Sequence, residues 1–200
     1  MADSTDPVRV VVAYHGGRGH TERFAEAVQA GARAVADTAV AAVAVDHITA
    51  TQWFELDDAD AIIFGSPTYM GSASAAFHAF AEQSSKRWLT RRWQDKLAAG
   101  FTNSGAKAGD KSGTLGYFTT FAAQHGMVWI NLGLPTGWNA AAGSEYDLNR
   151  LGFSHGAAAQ SNVDEGPELV HKADLDTSEF LGRRVAGYAH VVAAGKRVLG

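Results

Sequence analysis

Short unbroken apolar runs alternate along this chain with stretches in which apolar positions recur every three or four residues. Val8 to Tyr14, Ala39 to Val45, Ala61 to Phe64, Leu97 to Thr102 and Met127 to Leu132 are runs of the first kind. Such runs mark strands buried on both faces of a parallel sheet. After the first run, Phe24, Val28, Ala32 and Val35 fall on one side of a helix, with Glu22, Arg23, Glu26 and Gln29 on the other. Helices are likewise predicted for Thr49 to Asp57 (a turn or two), around Ala75 to Ala81, from Thr114 to His125, and from Glu179 to Val198. Strand and helix in alternation predict right-handed βαβ units in one doubly wound domain. The pattern breaks down between Gly133 and Asn162, so residues 133–162 read as an insertion near the fifth strand. Ser84 to Asp95 reads as a connector carrying Lys86, Arg87, Arg91 and Arg92 with Trp88 and Trp93, the latter expected to cap the core.

The ends of the first, third and fourth runs carry the candidate chemistry. The first enters His15-Gly16-Gly17-Arg18-Gly19-His20-Thr21, with His20 or Thr21 the expected N-cap. Strand, glycine turn and helix start make an anion site, because free N–H groups and the helix dipole point at the turn. Glu22 stands where a dinucleotide fingerprint needs its third glycine, so a short phosphate loop is the better reading. The third run meets Ser66-Pro67-Thr68-Tyr69-Met70-Gly71, where the missing proline N–H is expected to end the strand. The fourth runs into Asn103-Ser104-Gly105-Ala106-Lys107-Ala108-Gly109-Asp110. Hydroxyls, backbone amides and flat side chains on these two loops suit a heteroaromatic ring. Ligands of open α/β sheets bind outside the carboxyl ends of strands where the strand order reverses, and the three loops together suit FMN at the switch point of a 2-1-3-4-5 sheet.

Composition narrows the partners. The 200 residues carry a net charge of −4, unlike the basic footprint of a general nucleic-acid binder. With no cysteine, disulfides, thiolate metal sites and thiol redox chemistry are excluded. The histidines show no His-Glu-x-x-His, so no metal site is expected, and His78 and His190 read as surface or packing residues. Residues 1–7 are polar, unlike a signal peptide, and are expected to be flexible. No apolar run reaches membrane-spanning length. A cytoplasmic protein is the expectation.

At these residues the chain resembles the flavodoxin-like NAD(P)H-dependent oxidoreductases related to WrbA-type NAD(P)H:quinone oxidoreductases. The stretches that carry the resemblance are Arg18 to Glu22, Asp60 to Gly71, Lys96 to Gly105, Gln124 to Met127 and Leu148 to Ser161. The resemblance implies a flavodoxin-like five-stranded sheet and a ping-pong reaction in which NAD(P)H delivers a hydride to flavin N5 and a quinone takes two electrons. It implies a homodimer or homotetramer. By position, Gly16, Gly17, Arg18, Gly19, His20 and Thr21 would hold the FMN phosphate. Pro67, Thr68, Tyr69, Met70 and Gly71 would line the isoalloxazine, and Asn103, Ser104, Gly105 and Ala106 the ring and ribityl chain. His125 would join the flavin pocket, either of its own chain or of a neighbouring subunit, and Trp88 would lie on the substrate side. The chain departs from the family at Gly16, usually Ser, and at Arg18, usually a Tyr credited with stacking on the nicotinamide. Arg18 therefore reads either as a phosphate ligand or as part of the nicotinamide site.

Two other readings compete. Gly152-Phe-Ser-His-Gly156 matches a hydrolase nucleophile elbow, with Asp164, Asp174 or Asp176 and then His190 following in order. An elbow needs a core strand before its serine, and Glu145 to Arg150 is a poor one. A flavodoxin-like electron carrier or a non-catalytic FMN module would share the cofactor, but carriers that dock on basic partners are usually more acidic than this chain.

Overall fold

The computed structural model describes residues 6–199, so the expectation for the amino-terminal leader lies largely outside the described residues. Five strand positions form a sheet flanked by helices. β1 (Val8–Tyr14) lies between β2 (Thr38–Ala44) and the central strand β3 (Ala61–Tyr69), both parallel to it. β3 continues into the hairpin strand β4 (Ser72–Ala73), and its far side pairs with β5 (Leu97–Ser104). The fifth position is shared by two short strands. β6 (Val128–Trp129) pairs with the start of β5 at Leu97 and Ala98, and β7 (Ala157–Gln160) pairs with its end from Phe101 to Ser104. The order is therefore the expected one, with a correction: the irregular segment interrupts the fifth strand, and its second half lies inside residues 133–162. Ala157, Ala158 and Ala159 are too small and uniform to stand out as a strand, yet all three are buried.

The alternating side chains of β1 build two cores. Val8, Val10 and Val12 face α1 (His20–Arg33) and α6 (Lys172–Leu199), meeting Phe24, Val28, Leu181 and Val185. Here the helices touch backbone to backbone. A Cβ on Gly182 would stand 1.9 Å from the Val28 carbonyl oxygen, and one on Gly31 1.8 Å from that of Glu179. Val11 and Ala13 face α2 (Ala50–Asp58), α3 (Ala75–Gln83) and α5 (Lys111–Gln124), a core rich in rings: Phe64, Phe77, Phe80, Trp93, Phe118 and Phe121. Trp93 is buried as expected, its indole N–H donating to Asp57 Oδ1 at 2.9 Å. Thr49 closes a reciprocal capping box with Gln52 at the start of α2. A short helix, α4 (Ser85–Leu89), carries Trp88.

Two local expectations are corrected. α1 is capped by neither His20 nor Thr21 but by Gly19 at φ 97°, so no N-cap side chain hydrogen-bonds the helix N–H groups. β3 also passes through Pro67, which pairs in register with Asn103. The reason is period two: the Gly65 carbonyl accepts from His15 N, so residues 65 and 67 both turn toward β1. β1 stops pairing at Gly65, and the proline's missing N–H therefore faces a side with no strand.

Candidate functional site

The strands β1, β3 and β5 all end at one edge of the sheet, and their loops enclose a cavity of about 450 Å³. Its walls come from Arg18, His20 and Thr21 of the first loop, Pro67, Thr68 and Tyr69 of the second, and Asn103, Ser104 and Gly105 of the third. Gly16, Gly17, Gly19, Met70, Gly71 and Ala106 belong to the same loops but stand behind or beside this wall. Gly17, at φ 63°, is packed so closely that a Cβ would meet the Tyr69 hydroxyl at 3.1 Å and Pro67 Cγ at 3.3 Å. The first two loops thus brace each other. Met70 at φ 50° and Gly71 at φ 83° are the central pair of a tight turn between β3 and β4, a primed turn of the hairpin kind. The turn leaves the Met70 side chain fully exposed at the rim.

The first loop has the features of an anion site. Gly19 N donates to Gly16 O at 3.2 Å, turning the chain so that α1 starts with open N–H groups. Arg18 lines the cavity and makes no hydrogen bond or ion pair among the described residues. The Glu22 carboxylate is turned toward the Tyr14 hydroxyl, which donates to it at 3.4 Å. Burial and then this carboxylate push Tyr14 above the usual phenol range.

Beneath the second loop lies a buried hydroxyl cluster. Thr68 Oγ1 is 2.8 Å from Thr102 Oγ1 and 2.7 Å from Thr114 Oγ1, and Thr102 Oγ1 donates to the Ser66 carbonyl at 2.7 Å. Asn103 donates through Nδ2 to Ser161 Oγ at 2.8 Å, while its Oδ1 is buried with no partner. His15 Nδ1, in the first loop, is the same kind of orphan. Unmatched buried polar atoms beside a cavity are what a polar ligand would satisfy.

Sequence reasoning missed two parts of this site. The first is the segment after β7: Ser161 and Val163 line the cavity, and Glu165 O lies 2.9 Å from His20 Nε2. It was hidden because the preceding strand was hidden. The second is Lys111, fully buried in the first turn of α5. Its Nζ donates to Ser104 Oγ at 2.8 Å and to the carbonyls of Ala106, Lys107 and Ala108 at 2.7, 2.8 and 3.3 Å. Burial lowers Lys111 from the usual lysine range to about 8. The helix predicted from Thr114 leaves Lys111 in the loop before it, so the sequence carried no signal of its burial.

His125 and Trp88 are elsewhere. His125 ends α5 just before β6, which pairs with the beginning of β5. The seven residue-to-residue steps of β5, about 23 Å at ~3.3 Å per step, separate it from the cavity of its own chain. There it is buried, with Nε2 2.9 Å from Ser84 Oγ, its ring 4.5 Å from that of Trp93, and Nδ1 unpartnered. Burial lowers it to about 4, so it is neutral at pH 7. Half-exposed Trp88 borders, with His125, a second cavity of about 440 Å³. The elbow serine, Ser154, follows irregular chain and precedes β7, not a helix, and Asp174 is bonded to Arg150 by two contacts of 2.7 and 2.9 Å. Among the described residues no three His, Asp or Glu side chains group to hold a metal, and no helix is long and apolar enough to cross a membrane.

A parallel sheet in this order, with an anion loop and a flat-walled cavity at its switch point, defines a flavodoxin-like mononucleotide-binding protein. The comparisons place it further. Residues 54–136 match the family described as NADPH-dependent FMN reductase. Flavodoxin FldP of Pseudomonas aeruginosa (strain UCBPP-PA14) is 42% identical over 89% of this chain and 95% of its own. The crystal structure of a flavodoxin, WrbA-like protein from Agrobacterium tumefaciens superposes with a TM-score of 0.72 at 40% identity, covering 92% of this chain and 98% of that one. An archaeal flavodoxin shares the fold at 17% identity and a TM-score of 0.62, over 92% of this chain and 99% of its own. The chain belongs to the flavodoxin-like oxidoreductase family related to the WrbA type, and its cofactor is FMN.

Proposed function

We propose that the chain is an FMN-dependent oxidoreductase that takes reducing equivalents from NAD(P)H and passes them to a quinone or similar small acceptor. The observation that carries this reading is the cavity at the strand ends, which joins an anion loop to a flat, hydroxyl-backed wall. When bound, FMN supplies hydride-accepting and two-electron-donating chemistry. The residues of this chain bind and orient it. The N–H groups of the Gly16 to Thr21 loop other than that of Gly19 hold the phosphate, with Arg18 added on the cavity side. Pro67 to Gly71 form the ring wall, fixed by the bracing of Gly17 against Tyr69 and by the threonine cluster. Asn103 to Ala106 supply the opposite side, where Asn103 Oδ1 gains a partner. The family match to NADPH-dependent FMN reductases supports a nicotinamide donor.

Trp88 and His125 take part only as residues of a second copy, since their own cavity lies at the far end of the sheet; a homodimer or homotetramer in the cytoplasm is the form proposed. An electron carrier is the second reading, favoured by the name of the Pseudomonas relative. The net charge of −4 and the cations Arg18 and Lys107 at the cavity loops favour a small-molecule site over a docking face for a basic protein. FMN-loaded protein mixed with NADH or NADPH and a quinone decides. Sustained consumption over many turnovers supports the enzyme. Reduction that occurs only when a separate reductase protein is added supports the carrier.

A further inference from the structure

We propose that Lys111 is a positioning residue for the cofactor: gripped by the turn from Ser104 to Ala108, its ammonium holds the third loop in the shape that accepts flavin, and losing its proton releases that loop. The inference rests on the reading of the strand-end cavity as the FMN site.

The geometry argues for the ammonium form. Four acceptors surround Nζ: Ser104 Oγ and the carbonyls of residues 106, 107 and 108. An ammonium offers three donors and no lone pair. A neutral amine would keep two donors and turn its lone pair toward carbonyl oxygens. Little else shapes the loop from within. Ser104 Oγ donates to Ala106 O at 3.0 Å and Lys111 N to Ala108 O at 3.2 Å, while Gln160 Nε2 reaches Gly105 O from β7 at 2.9 Å. Ser104 and Gly105, which line the cavity, are thus tied to the buried cation directly or through one neighbour. Three carbonyls that would otherwise point their negative ends inward converge on it. The position also argues against chance, since the first turn of a helix favours an acid.

The charged groups around it are few. Asp174 of α6 favours the charged form and Arg150 of the interrupting segment opposes it; the two are paired to each other. Within the loop, Asp110 and Lys107 are exposed, and the Lys107 ammonium sits over the Trp138 ring at 5.6 Å. The Phe153 ring faces Nζ at 5.9 Å and offers no formal charge. Burial is the largest influence, lowering Lys111 from the usual lysine range to about 8. The sign for global stability is opposite to that for loop shape. Folded Lys111 holds its proton less firmly than an unfolded lysine, so raising the pH through 8 favours the folded state through this group. A loss of flavin affinity in that range is then local and not unfolding.

The test titrates apo protein with FMN, and separately with riboflavin, by flavin fluorescence quenching from pH 7 to 9.5, with melting temperatures taken alongside. Both Kd values are expected to stay nearly level to pH 7.5 and to stand about tenfold higher at pH 9, as linkage to one proton requires, without a parallel fall in melting temperature. Riboflavin removes phosphate titration as a cause. Lys111→Met is expected to bind weakly already at pH 7 and to show no rise. Tight native binding that stays level with pH overturns the proposal alone, as does a rise that persists in Lys111→Met or that tracks unfolding. If the variant does not fold, the native profiles decide by themselves. Native protein that binds no FMN at pH 7 overturns the site reading and this inference with it.

Discussion

The two ends of β5 are built from the same kinds of parts and differ in kind. Each borders a cavity of similar size, about 450 Å³ at the carboxyl end and 440 Å³ at the amino end. Each has a buried polar atom without a partner, Asn103 Oδ1 at one and His125 Nδ1 at the other. Each has a lysine clasping backbone carbonyls: Lys111 at the third loop, and Lys96, whose Nζ donates to Asp57 O at 2.9 Å and to Ala59 O. What separates them is the material between. The carboxyl end is made of left-handed turns, hydroxyls and open helix N–H groups, gathered from three strand ends. The amino end is made of rings, with His125 packed against Trp93 and Phe121 at centroid distances of 4.5 and 4.9 Å. Cavity volume and an orphan atom are therefore insufficient to define a cofactor site. What distinguishes the carboxyl end is a topology that converges donors on one point, which the amino end, with half-exposed Trp88, lacks.

Arg18 tests that contrast most strongly. If the carboxyl end binds phosphate with a free cation added to backbone N–H groups, Arg18→Ala removes a charge-assisted hydrogen bond of about 1.5–3 kcal/mol. FMN affinity would then fall roughly tenfold to a hundredfold, while riboflavin affinity stays level. The measurement is a pair of fluorescence titrations of each flavin. Equal losses for both flavins would move Arg18 to the ring, and a change confined to NAD(P)H kinetics would assign it to the nicotinamide.

The amino end has its own pH signature. His125 is held to about 4 by burial, below the ordinary 6.5. A histidine whose folded value is depressed stabilises the fold fully above its unfolded value, and that stability is lost as the pH falls through 6.5 toward 4. The loss is on the order of 1–3 kcal/mol. Urea unfolding at pH 7 and at pH 4.5 would show it. His125→Gln, which cannot charge, would shrink the difference between the two. A native difference unchanged by this substitution would place the acid sensitivity elsewhere.

The sequence carried the five strand positions, the loops at their ends and nine of the cavity-lining residues, because buried runs and glycine turns are local signals. Three things were illegible for physical reasons. β7 is built of Ala157 and Ala159, which bury in the core under α1 and α6, and Ala158, which buries in the opposite core, so neither β-branching nor alternation announces a strand. Pro67 stays in β3 because its neighbour strand stops two residues earlier, which is a fact of sheet register and not of the local sequence. Lys111 falls in the loop before the predicted helix, and burial of a lysine depends on carbonyls that the fold brings to it. His125 was legible as a motif, but its distance from its own cavity followed only from the sheet.

Trp88 offers the smallest expected effect and the finest test of the contrast between the two ends. Its indole is half-exposed on α4, at the amino end, and borders a cavity together with Leu89, Gln94 and His125. Within one protomer it cannot touch FMN, so Trp88→Ala is expected to leave FMN affinity nearly unchanged. If a second copy lays this indole over the substrate side of the cavity, the substitution removes an aromatic contact of about 0.5–1.5 kcal/mol beyond its area. The KM for an aromatic quinone would rise severalfold, to about tenfold at most. The effect should be present in the assembled protein and fade on dilution below the assembly concentration, which sedimentation at matched concentrations would establish. Quinone kinetics that are unchanged in the assembled variant would return Trp88 to the surface of α4. A loss of FMN affinity at every dilution would instead place the indole near the cofactor of its own chain, against the topology of β5 and β6.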